Sequence, residues 1–410
     1  MKTNLFFGII ILTALSSFSQ LKKKVLFIGN SYTYFNNLPQ LVADIALSKS
    51  DTVVYDQSTP GGFTFQSHCL SAVTWSKIKL QKWDAVILQA QSQEPSLYPT
   101  QVKSQTYPYA KQLIDSIRIN NPCTEVLFYM TWGRKNGDVS NCGVYPPVCT
   151  YNGMQARLRE SYMLFKDSFM TSVSPVGVAW KTYRINYPTI DLYDPDESHP
   201  NLWGSYLAAS TIYSSLFKKT TVGSAYNPGL PGVDLNSIQS ITSQTVLDST
   251  LLWNLGSQLP KANFTYSNTS PQAFQFTSTA SNATSFLWSF GSLISNPSYT
   301  FSTSGTFTVQ LKATNGCSSD SIVKTIFVAG IKELSGLENA DIYVAEGKLY
   351  YKNKFEKDDI ISIYSIEGKK LVEITDFKQP YDLSKLSVGV YNVLIKQNGF
   401  FKGVKIVNTH

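Results

Sequence analysis

Histidine, cysteine and charged residues are all scarce in this chain of 410 residues. There are 3 histidines, and the 5 cysteines include no Cys-x-x-Cys pair, which argues against a structural zinc site. Charged residues make up 15% of the chain, and the lysines and arginines behind the net charge of +7 are spread among carboxylates. Without a dense basic stripe, nucleic acid is a poor candidate for a partner.

Long apolar runs are absent beyond the first residues. Residues 5–15 are almost entirely apolar, they follow Lys2, and the small residues at 16–19 offer a cleavage site. This pattern predicts a secretory signal peptide at residues 1–19, because the run is too short to span a bilayer. No cysteine lies near the cut to carry a lipid anchor, and no later run is long enough for a transmembrane helix. We therefore expect an exported protein whose mature chain has no membrane span.

An odd number of cysteines leaves at least one unpaired in an exported protein. Cys142 and Cys149 flank a short loop that contains proline. We predict a disulfide between them.

The chain length suggests two to four domains. From residue 24 to about 217, short apolar runs alternate with longer amphipathic ones. The predicted strands are 25–28, 52–55, 85–88, 125–130 and 176–180. The predicted helices are 38–48, 101–119, 155–169 and 203–217, with a further helical stretch at 234–255. This alternation predicts βαβ units and a mainly parallel sheet covered by helices, with the reactive site outside the carboxyl ends of the strands.

Composition changes after about residue 261. Residues 262–328 are rich in serine, threonine, asparagine and aromatics, which with short alternating runs predicts a β-sandwich with Trp288 in its core. Trp-Ser-Phe-Gly at 288–291 and Tyr-Thr-Phe at 299–301 resemble a PKD-type immunoglobulin-like domain, which we assign to residues 261–330. The resemblance implies a spacer or a weak binder of carbohydrate or protein, and we take a spacer as the default.

The last stretch, residues 331–410, carries many lysines and carboxylates on short predicted strands. The segments at 363–369 (Ile-Tyr-Ser-Ile-Glu-Gly-Lys) and 386–391 (Leu-Ser-Val-Gly-Val-Tyr) resemble the C-terminal sorting domain of type IX secretion substrates in Bacteroidetes. The resemblance implies export to the outer-membrane surface or the medium, with the type IX secretion machinery as a partner. The residues alone predict a small exposed β-domain.

Ser31 lies in Gly-Asn-Ser at 29–31, directly after the first predicted strand. A serine on a tight turn between a strand and a helix presents its hydroxyl where a nucleophile is needed. Of the three histidines, His410 is the terminal residue, so the base for Ser31 is His68 or His199. His199 is favoured because Asp196, three residues earlier, can hold one ring nitrogen and leave the other for the serine.

Other carboxylates and donors complete the candidate site. Asp194 and Glu197 remain alternatives to Asp196 as the acid, since spacing alone does not separate them. Gly62 follows the second predicted strand, and a glycine there can bring its N–H close to a ligand. Gln91 follows the third strand and can donate from its carboxamide. Both are candidate donors to an oxyanion.

The order of Gly-Asn-Ser at 29–31, Gly62, Gln91 and then Asp196 with His199 resembles the SGNH (GDSL-like) hydrolase superfamily. The resemblance covers about the first half of the chain, which we assign to residues 20–260. It implies a flavodoxin-like three-layer α/β/α fold with a mainly parallel sheet, followed here by two small all-β domains. It also implies hydrolysis of esters without a metal or other cofactor.

By position, the resemblance makes Ser31 the nucleophile, His199 the base and Asp196 its partner, with Ser31, Gly62 and Gln91 as oxyanion donors. Two residues depart from the family pattern. Asn30 replaces the usual aspartate of Gly-Asp-Ser, a variant found in exported bacterial members. Gln91 stands where asparagine is usual, and it is longer by one methylene but can still donate.

Three further residues are candidates for contact with substrate. His68 follows Gly62 and either touches substrate or is a structural histidine, the latter being the commoner case. Trp132 and Arg134 follow the fourth strand, immediately before the loop 135–151. They either bind a sugar or a carboxylate of the substrate, or they are ordinary core and surface residues.

We expect an exported serine esterase, and first a carbohydrate esterase that removes acetyl or a similar small acyl group. External glycans suit the PKD-like domain and export, but a fold does not determine a substrate, so a broad carboxylesterase or lipase is the alternative. A catalytically inactive surface protein that binds glycan or mediates adhesion is an alternative of another class. The complete set of Ser31, Asp196 and His199 favours the enzyme.

Overall fold

The computed structural model describes residues 20–230, 235–270, 272–328, 342–352, 354–397 and 400–408. The predicted signal peptide and His410 lie outside these residues. The chain divides into two compact units, Met1–Leu259 and Pro260–His410. Within the described residues, no helix has the length and apolarity needed to cross a bilayer.

A parallel sheet of five strands forms the centre of the first unit. Its strands are β1 (Lys22–Ile28), β2 (Thr52–Ser58), β3 (Ala85–Leu88), β4 (Glu125–Tyr129) and β5 (Ser172–Ser174). They lie in the order β2-β1-β3-β4-β5, which is the flavodoxin-like order. The predicted α/β fold with a parallel sheet is confirmed. In this order successive strands are added on one side of β1 and then on the other, so the point where the order reverses lies between β1 and β3, and a crevice is expected at their carboxyl ends.

The helices of the first unit pack in two groups. The helices are α1 (Ser31–Tyr34), α2 (Leu38–Ser48), α3 (Phe65–Cys69), α4 (Ala72–Lys79), α5 (Pro99–Gln101), α6 (Tyr107–Asn120), α7 (Val139–Cys142), α8 (Tyr151–Phe169), α9 (Val176–Asn186), α10 (Leu202–Phe217) and α11 (Leu235–Leu247). Helix α10 contacts α2, α9 and α11, whereas α6 contacts α3, α4 and α8. Right-handed crossovers place these groups on opposite faces of the sheet.

The predicted strand at 176–180 is wrong. The fifth strand is Ser172–Ser174, and residues 176–180 belong to helix α9. Pro175 lies between them; it has no N–H for a sheet ladder, and its fixed φ suits the start of a helix. The valines in this stretch suggested a strand, but Val176, Trp180 and Tyr183 are buried at helical spacing.

The second unit begins with two antiparallel sheets of three strands each. The strands are β6 (Phe264–Ser270), β7 (Ala273–Ser278), β8 (Ser285–Trp288), β9 (Ser298–Thr300), β10 (Gly305–Thr314) and β11 (Ser319–Val328). They form the sheets β6-β7-β9 and β11-β10-β8. The side chain of Trp288 is buried in the apolar core, so the predicted sandwich and its tryptophan are confirmed.

The rest of the second unit has its own apolar core and two more antiparallel sheets. The strands are β12 (Ile342–Ala345), β13 (Lys348–Tyr351), β14 (Ile360–Tyr364), β15 (Lys370–Ile374), β16 (Tyr381–Asp382), β17 (Gly389–Gln397) and β18 (Phe400–Asn408). The prediction of a small all-β domain here is confirmed. Its role in secretion stays a prediction.

Candidate active site

Ser31 is the first residue of α1 and follows the carboxyl end of β1, an inner strand between β2 and β3. Asn30 is the helix cap, and its side-chain oxygen accepts the N–H of Tyr32 at 3.2 Å. The Asn30 amide nitrogen donates to the carbonyl of Phe63 at 3.0 Å, which ties the serine turn to the loop after β2. The departure from Gly-Asp-Ser therefore adds a donor that holds two loops together.

The turn before Ser31 closes on Gln89, which lies directly after β3. The Gln89 side-chain oxygen accepts the N–H of Asn30 and the hydroxyl of Thr33, each at 2.9 Å. A Cβ on Gly29 would lie 2.5 Å from Thr33 Oγ1 and 2.6 Å from Gln89 Oε1, so only glycine fits there. Sequence reasoning missed this role of Gln89; the only signal was its place at the end of a buried strand.

Ser31, His199 and Asp196 lie together in hydrogen-bond contact. His199 Nε2 is 2.8 Å from Ser31 Oγ, and His199 Nδ1 contacts Asp196 Oδ2. Because an ionised carboxylate only accepts, Nδ1 carries the ring proton and Nε2 accepts the serine hydroxyl. Such an arrangement can move a proton from the serine to the histidine.

Asp196 also holds the backbone of its own loop. Its Oδ1 accepts the N–H groups of Ser198 at 3.0 Å and of His199 at 2.9 Å. Partial desolvation tends to raise the pKa of Asp196, but these bonds and the contact with the His199 ring outweigh it and hold the pKa below its usual range. The carboxylate is therefore ionised at neutral pH.

The three candidate acids have different contacts. Glu197 accepts a hydrogen bond from the Asn136 side chain at 2.7 Å, and the backbone N–H of Asp194 donates to the His199 carbonyl at 2.8 Å. Asp196 is the one of the three whose carboxylate contacts the His199 ring. The structure thus separates alternatives that spacing left open.

Aromatic side chains support the loop that carries His199. Phe35 stacks on the His199 ring with centroids 4.3 Å apart. Tyr32, next to Ser31, shares a hydrogen bond of 2.7 Å with Ser198 Oγ, and Trp132 Nε1 donates to the Ser198 carbonyl at 3.1 Å. The helix that begins at Ser31 and the loop that carries His199 are therefore connected directly.

The three candidate oxyanion donors, Ser31, Gly62 and Gln91, differ in their hydrogen bonds. Gly62 is exposed, has φ +71°, and would have open space around an added Cβ. Among the hydrogen bonds of the described residues, the N–H groups of Ser31 and Gly62 have no acceptor. The Gln91 carboxamide oxygen accepts the N–H groups of Gln93 at 2.7 Å and of Glu94 at 3.1 Å, while its nitrogen lies 3.4 Å from Gln93 Oε1.

His68 does not line the substrate site. Its side chain is 0% exposed, with Nε2 2.9 Å from the Gly29 carbonyl and Nδ1 2.9 Å from Thr74 Oγ1. Because a carbonyl only accepts, Nε2 carries the proton and Nδ1 accepts from the threonine. Burial lowers the pKa of His68 to about 4, so it is neutral and supports the turn before Ser31.

Trp132 is also corrected from a substrate contact to a supporting residue. Its side chain is fully buried and stacks between Tyr32, at 4.8 Å, and Trp180, at 3.8 Å. Arg134 is partly exposed and forms an ion pair of 3.3 Å with Asp138. A role for Arg134 in substrate binding stays a prediction.

The loop after β4 contains the predicted disulfide. Cys142 and Cys149 are bonded, with Cα atoms 4.6 Å apart, and Cys69 is a free thiol. Both expectations about the cysteines are confirmed. Across the described chain, no group of three or more histidine, cysteine or acidic side chains is arranged to hold a metal ion.

Comparisons with known proteins identify one module of the chain. Residues 261–328 match the family model of the PKD domain. No curated protein matches the chain.

Solved structures similar to this chain are distant in sequence. A DUF4886 family protein from Bacteroides uniformis is 19% identical over 55% of this chain and 95% of its own, with a TM-score of 0.48. A candidate SGNH hydrolase from Slackia heliotrinireducens is 20% identical over 47% of this chain and 98% of its own, with a TM-score of 0.40. An acetyl xylan esterase is 14% identical over 47% and 98%, with a TM-score of 0.35. Likeness at this level assigns no activity.

The PKD domain carries an open groove of about 250 Å³ among aromatic side chains. Phe290 stacks on Tyr299 at 4.3 Å, and Phe301 packs on Phe307 at 4.5 Å. The rings that line the groove are thus packed on one another. A spacer stays our interpretation of this domain.

Proposed function

We propose that the first unit is a serine hydrolase that cleaves ester bonds through an acyl-enzyme on Ser31. The observation that carries the proposal is the contact of 2.8 Å between Ser31 Oγ and His199 Nε2, with Asp196 on the other ring nitrogen. A serine is a weak nucleophile alone and needs an oriented base within this distance.

In the first half of the reaction, Ser31 Oγ attacks the acyl carbon while its proton passes to His199 Nε2. The imidazolium that forms is stabilised by the ionised Asp196. The tetrahedral intermediate collapses, the bond to the alcohol oxygen breaks, and that oxygen takes the proton from Nε2. The acyl group is then an ester of Ser31.

In the second half, water replaces the alcohol. His199 Nε2 takes a proton from water, the hydroxide oxygen attacks the acyl carbon, and Ser31 Oγ leaves with the proton from Nε2. In both halves the donors to the oxyanion are the N–H groups of Ser31 and Gly62 and the carboxamide of Gln91. No step needs a cofactor.

As substrate we propose an acylated carbohydrate, most simply an acetylated polysaccharide. The support is indirect: Gly62, a candidate oxyanion donor, is exposed to solvent, and the same chain carries a PKD domain. A broad carboxylesterase or lipase is the alternative. Acetate release from acetylated glycans, compared with hydrolysis of medium-chain acyl esters, separates the two.

We also propose that the chain is exported, with residues 1–19 as its leader and residues 331–410 as a type IX sorting domain. The support is the apolar run at 5–15 and the sequence motifs at 363–369 and 386–391. Mass spectrometry of protein from the producing cells tests this. A chain found inside the cell that still contains both residues 1–19 and residues 331–410 would contradict the proposal.

The decisive test of the enzyme is Ser31→Ala assayed on an aryl acetate. Wild-type protein is expected to turn over, and the variant is expected to lose nearly all activity with its melting temperature unchanged. Activity should survive a chelator, because the serine mechanism needs no cation. Equal rates for wild type and Ser31→Ala would contradict the enzyme and favour the alternative, a catalytically inactive surface protein that binds glycan or mediates adhesion.

A further inference from the structure

A buried carboxylate outside the Ser31–His199–Asp196 set lies close to the candidate oxyanion donors. Asp138, in the loop after β4, has a side chain that is 0% exposed. Its two oxygens accept hydrogen bonds from Gln93 Nε2 at 3.0 and 2.9 Å and from Asn141 Nδ2 at 2.7 Å, and Arg134 Nη1 lies 3.3 Å away. Each of these three side chains is a donor.

The carboxylate determines the orientation of Gln93. Asp138 can only accept, so the amide nitrogen of Gln93 must face it. The amide oxygen of Gln93 then faces Gln91 Nε2, at 3.4 Å. Reversing the Gln93 amide would place an oxygen against a buried carboxylate, which is strongly unfavourable.

Gln91 is oriented in the same sense from its other end. Its oxygen accepts the backbone N–H groups of Gln93 and Glu94, so its nitrogen points away from them. One of the two N–H bonds of Gln91 Nε2 is directed to Gln93, and among the hydrogen bonds of the described residues the second has no acceptor. Gln91 is therefore held as a donor.

Gln89, two residues before Gln91, contacts the residues on either side of Ser31. Its side-chain oxygen accepts the N–H of Asn30 and the hydroxyl of Thr33, each at 2.9 Å. These contacts hold the segment after β3 next to the start of α1. They bring Gln91 to the edge of the sheet where the oxyanion would form.

We propose that Asp138 is a positioning residue that orients the Gln91 carboxamide, through Gln93, as a donor to the oxyanion. This inference rests on the proposed serine hydrolase activity. It also explains the loop architecture: the Asp138 N–H donates to the Val148 carbonyl at 2.7 Å, so the disulfide from Cys142 to Cys149 keeps the carboxylate in place.

The test is a double-mutant cycle with an aryl acetate as substrate. Gln91→Ala removes the donor and is expected to lower kcat roughly 100-fold with little change in KM, because an oxyanion contact acts in the transition state. Asp138→Asn is expected to lower kcat about 10-fold, since an amide no longer forces one orientation on Gln93. In the Gln91→Ala background, Asp138→Asn should change kcat less than about 2-fold.

Asp51→Asn is the matched control. Asp51 is another carboxylate with 0% side-chain exposure, and it accepts from Lys219 at 2.8 Å and Tyr213 at 2.9 Å, away from the candidate site. Its variant should lose stability but keep kcat. If Asp138→Asn fails to fold, Gln93→Leu removes the connection between Asp138 and Gln91, while Asp138 keeps its contacts with Arg134 and Asn141. The same loss of kcat is then expected.

The outcomes separate this inference from the proposed function. If activity depends on Ser31 but Asp138→Asn lowers kcat equally in the wild type and in Gln91→Ala, the positioning role of Asp138 is overturned and the hydrolase proposal stands. Full kcat in Gln91→Ala would do the same. Absence of Ser31-dependent activity would instead overturn the hydrolase itself.

Discussion

Two histidines contact the turn that carries Ser31, one from a partly exposed loop and one from a fully buried position. His199 lies on a loop, its side chain is 26% exposed, and its Nε2 contacts the serine hydroxyl. His68 lies in α3, is fully buried, and binds the carbonyl of Gly29 in the same turn. The comparison teaches that contact with the turn of Ser31 does not by itself make a histidine a candidate base; its ring must also reach the serine hydroxyl.

The largest effect that tests this comparison is expected from His199→Ala. The variant should lower kcat by roughly 10⁴-fold or more, because the serine loses its base. Steady-state hydrolysis of an aryl acetate measures it. A loss of less than 10-fold would mean that His199 is not the base.

Asp196→Asn is expected to have the next largest effect, with kcat reduced by roughly 10²- to 10⁴-fold. The amide no longer stabilises the imidazolium and allows the wrong tautomer of the ring. Glu197→Gln, one residue away, is the matched control and should keep kcat within about 2-fold. A larger loss in Glu197→Gln than in Asp196→Asn would make Glu197 the acid.

His68→Gln should act mainly on stability. Neutral His68 is buried, and in the unfolded chain a histidine titrates near pH 6.5. With its pKa lowered to about 4 in the folded protein, stability is fully present above pH 6.5 and falls as the pH drops toward 4. The shift corresponds to about 3 kcal/mol.

Urea denaturation of wild type and His68→Gln between pH 7.5 and 4.5 measures this effect. The variant should be less stable at pH 7.5, since the Gly29 carbonyl or the Thr74 hydroxyl loses its partner. It should also lose less stability than wild type on acidification. Parallel pH curves for the two proteins would show that His68 is not held neutral.

Glu94 provides the acidic counterpart and the smallest expected effect. Burial raises its pKa to about 7, and its Oε2 has no hydrogen-bond partner in the described structure. A raised folded-state pKa costs stability as the pH rises from 4.5 through 7. Glu94→Gln should therefore raise the melting temperature by a few degrees at pH 8 and by less at pH 5. Calorimetry at the two pH values checks this, and a lower melting temperature at pH 8 would contradict it.

Local patterns in the sequence were sufficient for much of the fold. The strand at 85–88 and the helix at 38–48 were predicted with the bounds that the structure has, because continuous apolar runs and amphipathic repeats are local signals. The prediction of a strand at 176–180 was wrong because five residues are too few to distinguish a helix from a strand. Pro175 was the overlooked signal.

The site divides in the same way. Ser31 and His199 were identified because few histidines are present and because the serine follows a strand. The roles of Gln89 and Asp138 were not, because each depends on partners far away in the chain: Asn30 for Gln89, and Gln93 for Asp138. Residue type alone did not distinguish a buried carboxylate from a surface one.

The sequence by itself determined the parallel sheet, the sandwich around Trp288, the disulfide and a short list of chemically able residues. Apolar periodicity, cysteine spacing and the scarcity of histidine are all readable along the chain. The sequence favoured His199 and Asp196 but left His68, Asp194 and Glu197 open, and only the tertiary structure decided among them. It also buried His68 and Trp132. Those outcomes depend on burial and on distances between segments that are remote in sequence, and packing alone determines both.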